Sequence, residues 1–102
     1  MLKLKPNCEN CDKDLPAESI EAMICSYECT FCCDCVDNVL NNVCPNCGGG
    51  FVRRPIRPKK AWREGVSVIH HPASEKRVLK PVDQDEHRVF SRPIVDLAAK
   101  DR

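Results

Sequence analysis

Cys8-Glu-Asn-Cys11, Cys25-Ser-Tyr-Glu-Cys29-Thr-Phe-Cys32-Cys33-Asp-Cys35 and Cys44-Pro-Asn-Cys47 are the runs whose spacing decides the fold. They hold all nine cysteines of a 102-residue chain, and none follows Cys47. A Cys-x2-Cys turn brings two sulfurs to one side, near the roughly 3.7 Å edge that Zn–S bonds of ~2.3 Å impose on a tetrahedron. Each such turn is half a site. Cys8/Cys11, Cys32/Cys35 and Cys44/Cys47 are three halves, and Cys25/Cys29, one residue wider, is the fourth. Two closed sites of four thiolates follow, with zinc the natural occupant. The halves can pair sequentially, nested, or crossed (first with third, second with fourth). Cys33 is left over, either a small apolar group in a helix's first turn or an exposed thiolate; a slip placing it where Cys32 belongs stays open.

The flanks of these runs supply the local structure. Val36, Val39, Leu40 and Val43 recur at i, i+3, i+4 and i+7, one face of a helix that begins inside the third half-site, as in a treble clef. Met23-Ile24 and Phe31 fit a short hairpin covering that face. An ordinary core is not available: 42% of residues are hydrophobic, but nine of these are cysteine and only 5% of the chain is aromatic. Metal ligation offsets that deficit in small domains. The size excludes a Rossmann fold, a barrel and a two-domain enzyme. No apolar run approaches the ~20 residues of a membrane span. The first residues, Met1 to Cys8, lack the apolar stretch of a secretory signal, so a cytoplasmic protein is expected, where dense cysteine means metal rather than disulfides.

Charge divides the chain as sharply. Residues 1–50 carry three lysines and eight acids, net −5; residues 51–102 carry thirteen bases and seven acids, net +6. Loading eight thiolates with two zinc ions takes the first half to about −9. After Gly48-Gly-Gly50, read as a hinge, comes Phe51-Val-Arg-Arg-Pro-Ile-Arg-Pro-Lys-Lys-Ala-Trp-Arg63, basic and extended because Pro55 and Pro58 exclude a regular helix. Arg53, Arg54, Arg57, Lys59, Lys60, Trp62 and Arg63 are candidate contacts to phosphates or an acidic partner, with Trp62 a stacking platform. Low-salt docking of this arm onto the acidic half is expected. Farther on, Val66–Ile69 and Val78–Val82 are candidate strands and Pro93–Lys100 about two turns of helix. His70, His71 and His87 are candidates for a third metal, more naturally surface residues of a flexible tail.

The order of these spacings resembles a RING finger. Phe31-Cys32 looks like its Phe-Cys-x-x-Cys step and Cys44-Pro-Asn-Cys47 like its last half-site; Cys29 stands where RING domains have His or Cys. The resemblance covers residues 8–47. It implies a cross-brace, with Cys8, Cys11, Cys32 and Cys35 on one zinc and Cys25, Cys29, Cys44 and Cys47 on the other. Three ligase docking positions depart from the pattern: Asn10, Gly48, and the absence of an aromatic residue between Cys35 and Cys44. Ubiquitin ligase activity is therefore not expected. A closer resemblance rests on Lys5-Pro-Asn-Cys-Glu-Asn-Cys-Asp-Lys-Asp-Leu-Pro16, Ile24-Cys-Ser-Tyr-Glu-Cys-Thr-Phe-Cys32 and Val43-Cys-Pro-Asn-Cys-Gly-Gly49 with Arg53-Arg-Pro55. These look like a family of short bacterial proteins, domain of unknown function 1272, over residues 1–58. That resemblance implies zinc and a bacterial source, but no activity.

The expected architecture is a small α+β, RING-like or treble-clef zinc domain over residues 1–55. A basic linker (56–64) and a partly ordered or disordered tail (65–102) follow. The expected function is protein–protein interaction, not catalysis, since four thiolates leave a metal no open position. A nucleic-acid-associated protein and a thiol-based redox or metal-handling protein are the alternatives.

Overall fold

In the computed structural model, which describes residues 1–102, strand β1 (Ala22–Ile24) turns back into β2 (Thr30–Cys32). The registers are Ala22↔Cys32, Met23↔Phe31 and Ile24↔Thr30. The turn between the strands is the Cys25–Cys29 segment itself. It is closed by Cys25 N–H to the Cys29 carbonyl (3.2 Å) and Glu28 N–H to the Cys25 carbonyl (2.9 Å), with Glu28 at φ 65°. The expected hairpin is therefore present, and it carries a half-site at its tip. β3 (Val52–Arg53) adds to the free edge of β1, giving an antiparallel sheet of order β2-β1-β3.

Helix α1 (Cys33–Asn38) follows β2 without a linker, so Cys32 ends the strand and caps the helix. The apolar periodicity locates the buried face: Val36, Leu40 and Val43 are buried and Val39 packs on the core. It overstates the helix, which stops at Asn38 because Asn41 (φ 49°) and Asn42 (φ 58°) adopt left-handed backbone. Asparagine tolerates that region better than most residues. The loop folds back instead, with Leu40 N–H on the Cys35 carbonyl (2.8 Å) and Asn42 N–H on that of Val36 (3.0 Å).

The core is small and largely sulfur. Only 22 of 102 residues are buried, and six are Cys8, Cys25, Cys29, Cys32, Cys35 and Cys44. Phe31 and Phe51 meet edge to face at 5.5 Å, joining β2 to the chain entering β3. Leu15, Ala22, Val36 and Leu40 complete the cluster. No helix is long and apolar enough to cross a membrane.

The second half of the chain differs from expectation in its elements. Val66–Ile69 is a turn, not a strand: Ser67 Oγ accepts from the N–H groups of Ile69 (3.2 Å) and His70 (3.4 Å). Val78–Val82 belongs to no strand, although alternate residues 78, 80 and 82 hydrogen-bond to one side as in an extended chain. The helix lies at Gln84–Ser91 (α2), not 93–100, where turns and a 3-10 segment (Ala99–Asp101) are found. Asp83 caps α2 by accepting from Asp85 N–H (3.0 Å) and Glu86 N–H (3.1 Å). The spacing Asp83-x-x-Glu86 is a helix start, and Pro93, just past the Arg92 C-cap, marks a stop rather than a start. Gly48–Gly50 is not a free hinge. Gly48 (φ 77°) donates to the Cys44 carbonyl at 2.8 Å, and Cys44 N–H donates to that of Gly49 at 2.8 Å. The glycines close the last cysteine turn.

Candidate metal centres

The first knuckle is built by a backbone bridge between Asn7 and Asp14, Cys8 N–H on the Lys13 carbonyl (2.8 Å) and Asp12 N–H on the Cys8 carbonyl (3.0 Å). Asp12 takes φ 66° to complete the reversal. This turns the sulfurs of Cys8 and Cys11 toward those of Cys32 and Cys35, and all four lie within 4.8 Å of one another. Cys11 and Cys32 are 3.8 Å apart, close to the tetrahedral Zn–S edge of roughly 3.7 Å. Asn10, inside the knuckle, donates its amide N–H to Cys35 Sγ at 3.2 Å.

The second centre gathers Cys25 from the hairpin tip with Cys44 and Cys47 from the glycine-closed knuckle, their sulfurs again within 4.8 Å of one another. Cys29 is not within that distance of all three. Its thiol neighbours Cys25 and Cys44 and accepts from Asn46 Nδ2 at 3.4 Å. The knuckles thus share a device: in Cys-Glu-Asn10-Cys and in Cys-Pro-Asn46-Cys, the asparagine donates to a sulfur of the opposite half-site. The spacing reading did not find these amides, although Cys-x-Asn-Cys occurs in both knuckles.

First and third half-sites meet, as do second and fourth. Cys33 belongs to neither group; half-buried, it opens α1 with its N–H on the Glu21 carbonyl (2.9 Å). Burial pushes the metal-free thiols up: Cys32 to about 11, and Cys29, Cys35 and Cys44 in the same direction. Cys11 differs. Burial raises it, but hydrogen bonds from the Lys13 backbone and the Cys8, Cys32 and Cys35 thiols together lower it. A divalent cation held by these residues would have to displace the protons that burial keeps on Cys32 and Cys35 in the first centre and on Cys29 and Cys44 in the second.

The basic segment divides in the structure. Arg53 lies in β3. Arg54, 1% exposed, is a core residue, its guanidinium on the carbonyls of Lys5 (2.8 Å), Leu15 (3.2 Å) and Pro16 (2.8 Å). Arg57 binds the carbonyls of Leu2 (2.7 Å) and His71 (2.5 Å). Lys59, Lys60 and Arg63 remain exposed, beside a Trp62 that is 78% exposed with Lys60 Nζ 5.9 Å from its ring. None of the six bases from Arg53 to Arg63 forms an ion pair; the base of the second half that pairs with carboxylates of the first is Arg77. The histidines do not assemble. His70 Nδ1 pairs with Ser67 Oγ (2.8 Å), buried His87 Nε2 with the Val43 carbonyl (2.9 Å), and His71 lies near Trp62.

The chain is similar to an uncharacterized protein of Rhizobium meliloti (strain 1021), 54% identical over 81 residues, which are 79% of this chain and 89% of that relative. No solved structure matches it. A family model described as protein of unknown function (DUF1272) matches residues 1–57, the span that contains both cysteine centres. With more than half its length matched and a relative this similar, the chain belongs to that family.

Proposed function

We propose that this is a zinc protein with two structural four-cysteine centres, cross-braced in a RING-like or treble-clef manner, working as a protein-interaction module of the bacterial cytoplasm rather than as an enzyme. The observation that carries the reading is the all-thiol donor set. Each centre gathers cysteine sulfurs from two half-sites far apart in sequence, with asparagine amides and backbone N–H groups donating to them. Soft thiolates in tetrahedral number suit zinc, and four of them leave no coordination position for water or substrate.

The interaction role is supported by a cleft of about 320 Å³ lined by Met1, Pro58, Trp62, Val66 and the unpaired Arg63. An apolar floor with a cationic rim fits a protein segment carrying an apolar anchor next to acidic groups. Native mass spectrometry should find two zinc ions per chain. Pull-down with the zinc-loaded chain should recover a partner that Trp62→Ala or Arg63→Glu loses. A second reading, nucleic acid, draws on the same exposed Trp62 with Lys59, Lys60 and Arg63. Salt-sensitive retention of a mixed oligonucleotide pool, lost on Trp62→Ala, would favour it over a protein partner.

A further inference from the structure

The first knuckle is covered by the chain's own residues 77–82, in a way that follows the rules of peptide recognition. Asn7 brackets Val78: its Nδ2 donates to the Val78 carbonyl (2.8 Å) and its Oδ1 accepts from Val78 N–H (3.2 Å). Lys80 N–H donates to the Glu9 carbonyl (2.7 Å), and Val82 N–H to Asn10 Oδ1 (2.8 Å). Pro81, which has no N–H, falls where none is used. Arg77 forks onto Asp12 Oδ1 (2.9 Å), the Asp12 carbonyl (2.8 Å) and Asp14 Oδ1 (2.7 Å). Val82 packs against the core cluster, whereas Leu79 points outward at 53% exposure.

The face formed by Asn7, Glu9, Asn10, Asp12 and Asp14 thus reads three things: an extended main chain, one arginine, and an apolar side chain five residues later. Only the last two carry sequence information; the hydrogen bonds between them are available to any extended segment. The face lies within the family-matched residues 1–57 and its occupant lies beyond them. The arginine clamp is solvent-exposed, a contact that salt and competing peptides weaken readily.

The geometry points to the first knuckle as a recognition groove for an extended Arg-x4-Val type segment of a partner protein, with residues 77–82 as its pseudo-ligand in cis. Occupation of the groove is also reported to the first centre. Asn10 accepts from the segment with its oxygen while its nitrogen donates to Cys35 Sγ. The inference rests on the two-centre reading to the extent that the knuckle must be metal-closed.

The test uses the full zinc-loaded chain and a fluorescent peptide of residues 75–85 supplied in trans. In wild type the cis segment competes, and apparent affinity is reduced by the fraction of chains in which the groove is open. Arg77→Glu combined with Val82→Asp removes both anchors and leaves every groove residue intact. The peptide is expected to bind this variant at least tenfold tighter than wild type, and the same peptide with Arg77→Glu is expected not to bind. Cadmium-113 NMR should show the first-centre resonance shifting in the variant and returning on peptide addition. Asn7 and Asn10 side-chain amide shifts report the cis segment directly. Release of the segment without peptide binding, or a segment that stays docked in the variant, would overturn the proposal. So would a wild-type dimer lost on Arg77→Glu, which assigns the groove to a second copy's segment. Zinc content measured on the same samples keeps the two readings apart. Two zincs with no peptide binding refutes the groove alone, and fewer than two in wild type refutes the centres.

Discussion

Arg54 should be the most stability-critical residue outside the cysteines. Its guanidinium is buried without a counter-charge, and burial pushes its pKa down. Three carbonyls hold it, those of Lys5, Leu15 and Pro16, so one side chain joins the segments flanking the first knuckle to the end of β3. Arg54→Met keeps most of the aliphatic volume and deletes the donors. Leaving a buried acceptor unpaired costs ~1–3 kcal/mol each. Water can reach Lys5 and Pro16 more easily than Leu15, and the variant no longer desolvates a charge, which offsets part of the sum. The balance is a loss of about 2–4 kcal/mol. In a domain this small, 1 kcal/mol moves Tm by about 4–8 °C, so a fall on the order of 10–25 °C is expected. Melting should be followed by circular dichroism at a fixed free-zinc concentration, because bound metal adds its own stabilisation by mass action. Arg54→Lys should lie between, since one ammonium cannot span the three acceptors, and the exposed Arg63→Ala should melt within a degree or two of wild type. If Arg54→Met melts within about 3 °C of wild type while retaining its metal, the three carbonyl bonds are not what ties these segments together.

Three further outcomes are expected. In cadmium-113 NMR, Cys11→Ser and Cys35→Ser should disturb one resonance and Cys25→Ser and Cys47→Ser the other, while Cys33→Ser leaves both in place; a shared signal between Cys11 and Cys25 would mean sequential pairing. Asn10→Ala and Asn46→Ala should each shift only their own centre's resonance and speed zinc loss to a chelator by ~10-fold or more, with stoichiometry unchanged; equal effects on both centres would contradict the geometry. Zinc titration at pH 7 in weak buffer should release protons, because burial pushes the thiols of Cys29, Cys32, Cys35 and Cys44 up, Cys32 to about 11 against an ordinary 9.0. The sign follows from that raised value: the metal-free fold keeps this contribution below pH 9 and loses it as pH rises toward 11, whereas zinc affinity climbs with pH. An affinity flat from pH 6 to 8 would refute this.

What could be read from the sequence was what depends on short, stereotyped geometry. Cysteine spacing alone defined four half-sites because a four-residue turn has few ways to present two sulfurs. Apolar periodicity found the buried face of α1, since Val36, Leu40 and Val43 point inward whether or not the helix continues. It could not find the helix end, set by two left-handed asparagines that periodicity does not register. Arg54 was indistinguishable from its neighbours in a basic run; only tertiary structure places three carbonyls around it. Val78–Val82 reads as a candidate strand, but its docking on the first knuckle is not legible for the same reason. Arg77 apart, its hydrogen bonds run from main chain to the Asn7 and Asn10 amides 71–72 positions away and to the Glu9 carbonyl, and these leave no compositional trace.

The tail and the metal centres depend on each other through the same loops. The 77–82 segment needs Asn7, Glu9 and Asn10 in the arrangement that the closed first knuckle imposes, with its left-handed Asp12. At the second knuckle His87 of α2 meets the Val43 carbonyl, Arg102 Nη1 bonds the Asn42 (2.7 Å) and Gly48 (3.3 Å) carbonyls, and Ile94 fills the space above Gly48, where a Cβ would approach it at 3.3 Å. Each cysteine knuckle thus doubles as the floor on which part of residues 77–102 rests. Binding events that require one conformation favour each other reciprocally. A metal ion held at a knuckle would therefore favour docking of the tail, and a docked tail would raise metal affinity by the same factor. Because the two knuckles are covered by different parts of the tail, displacing residues 77–82 is expected to loosen the first centre while α2 and Arg102 continue to hold the second.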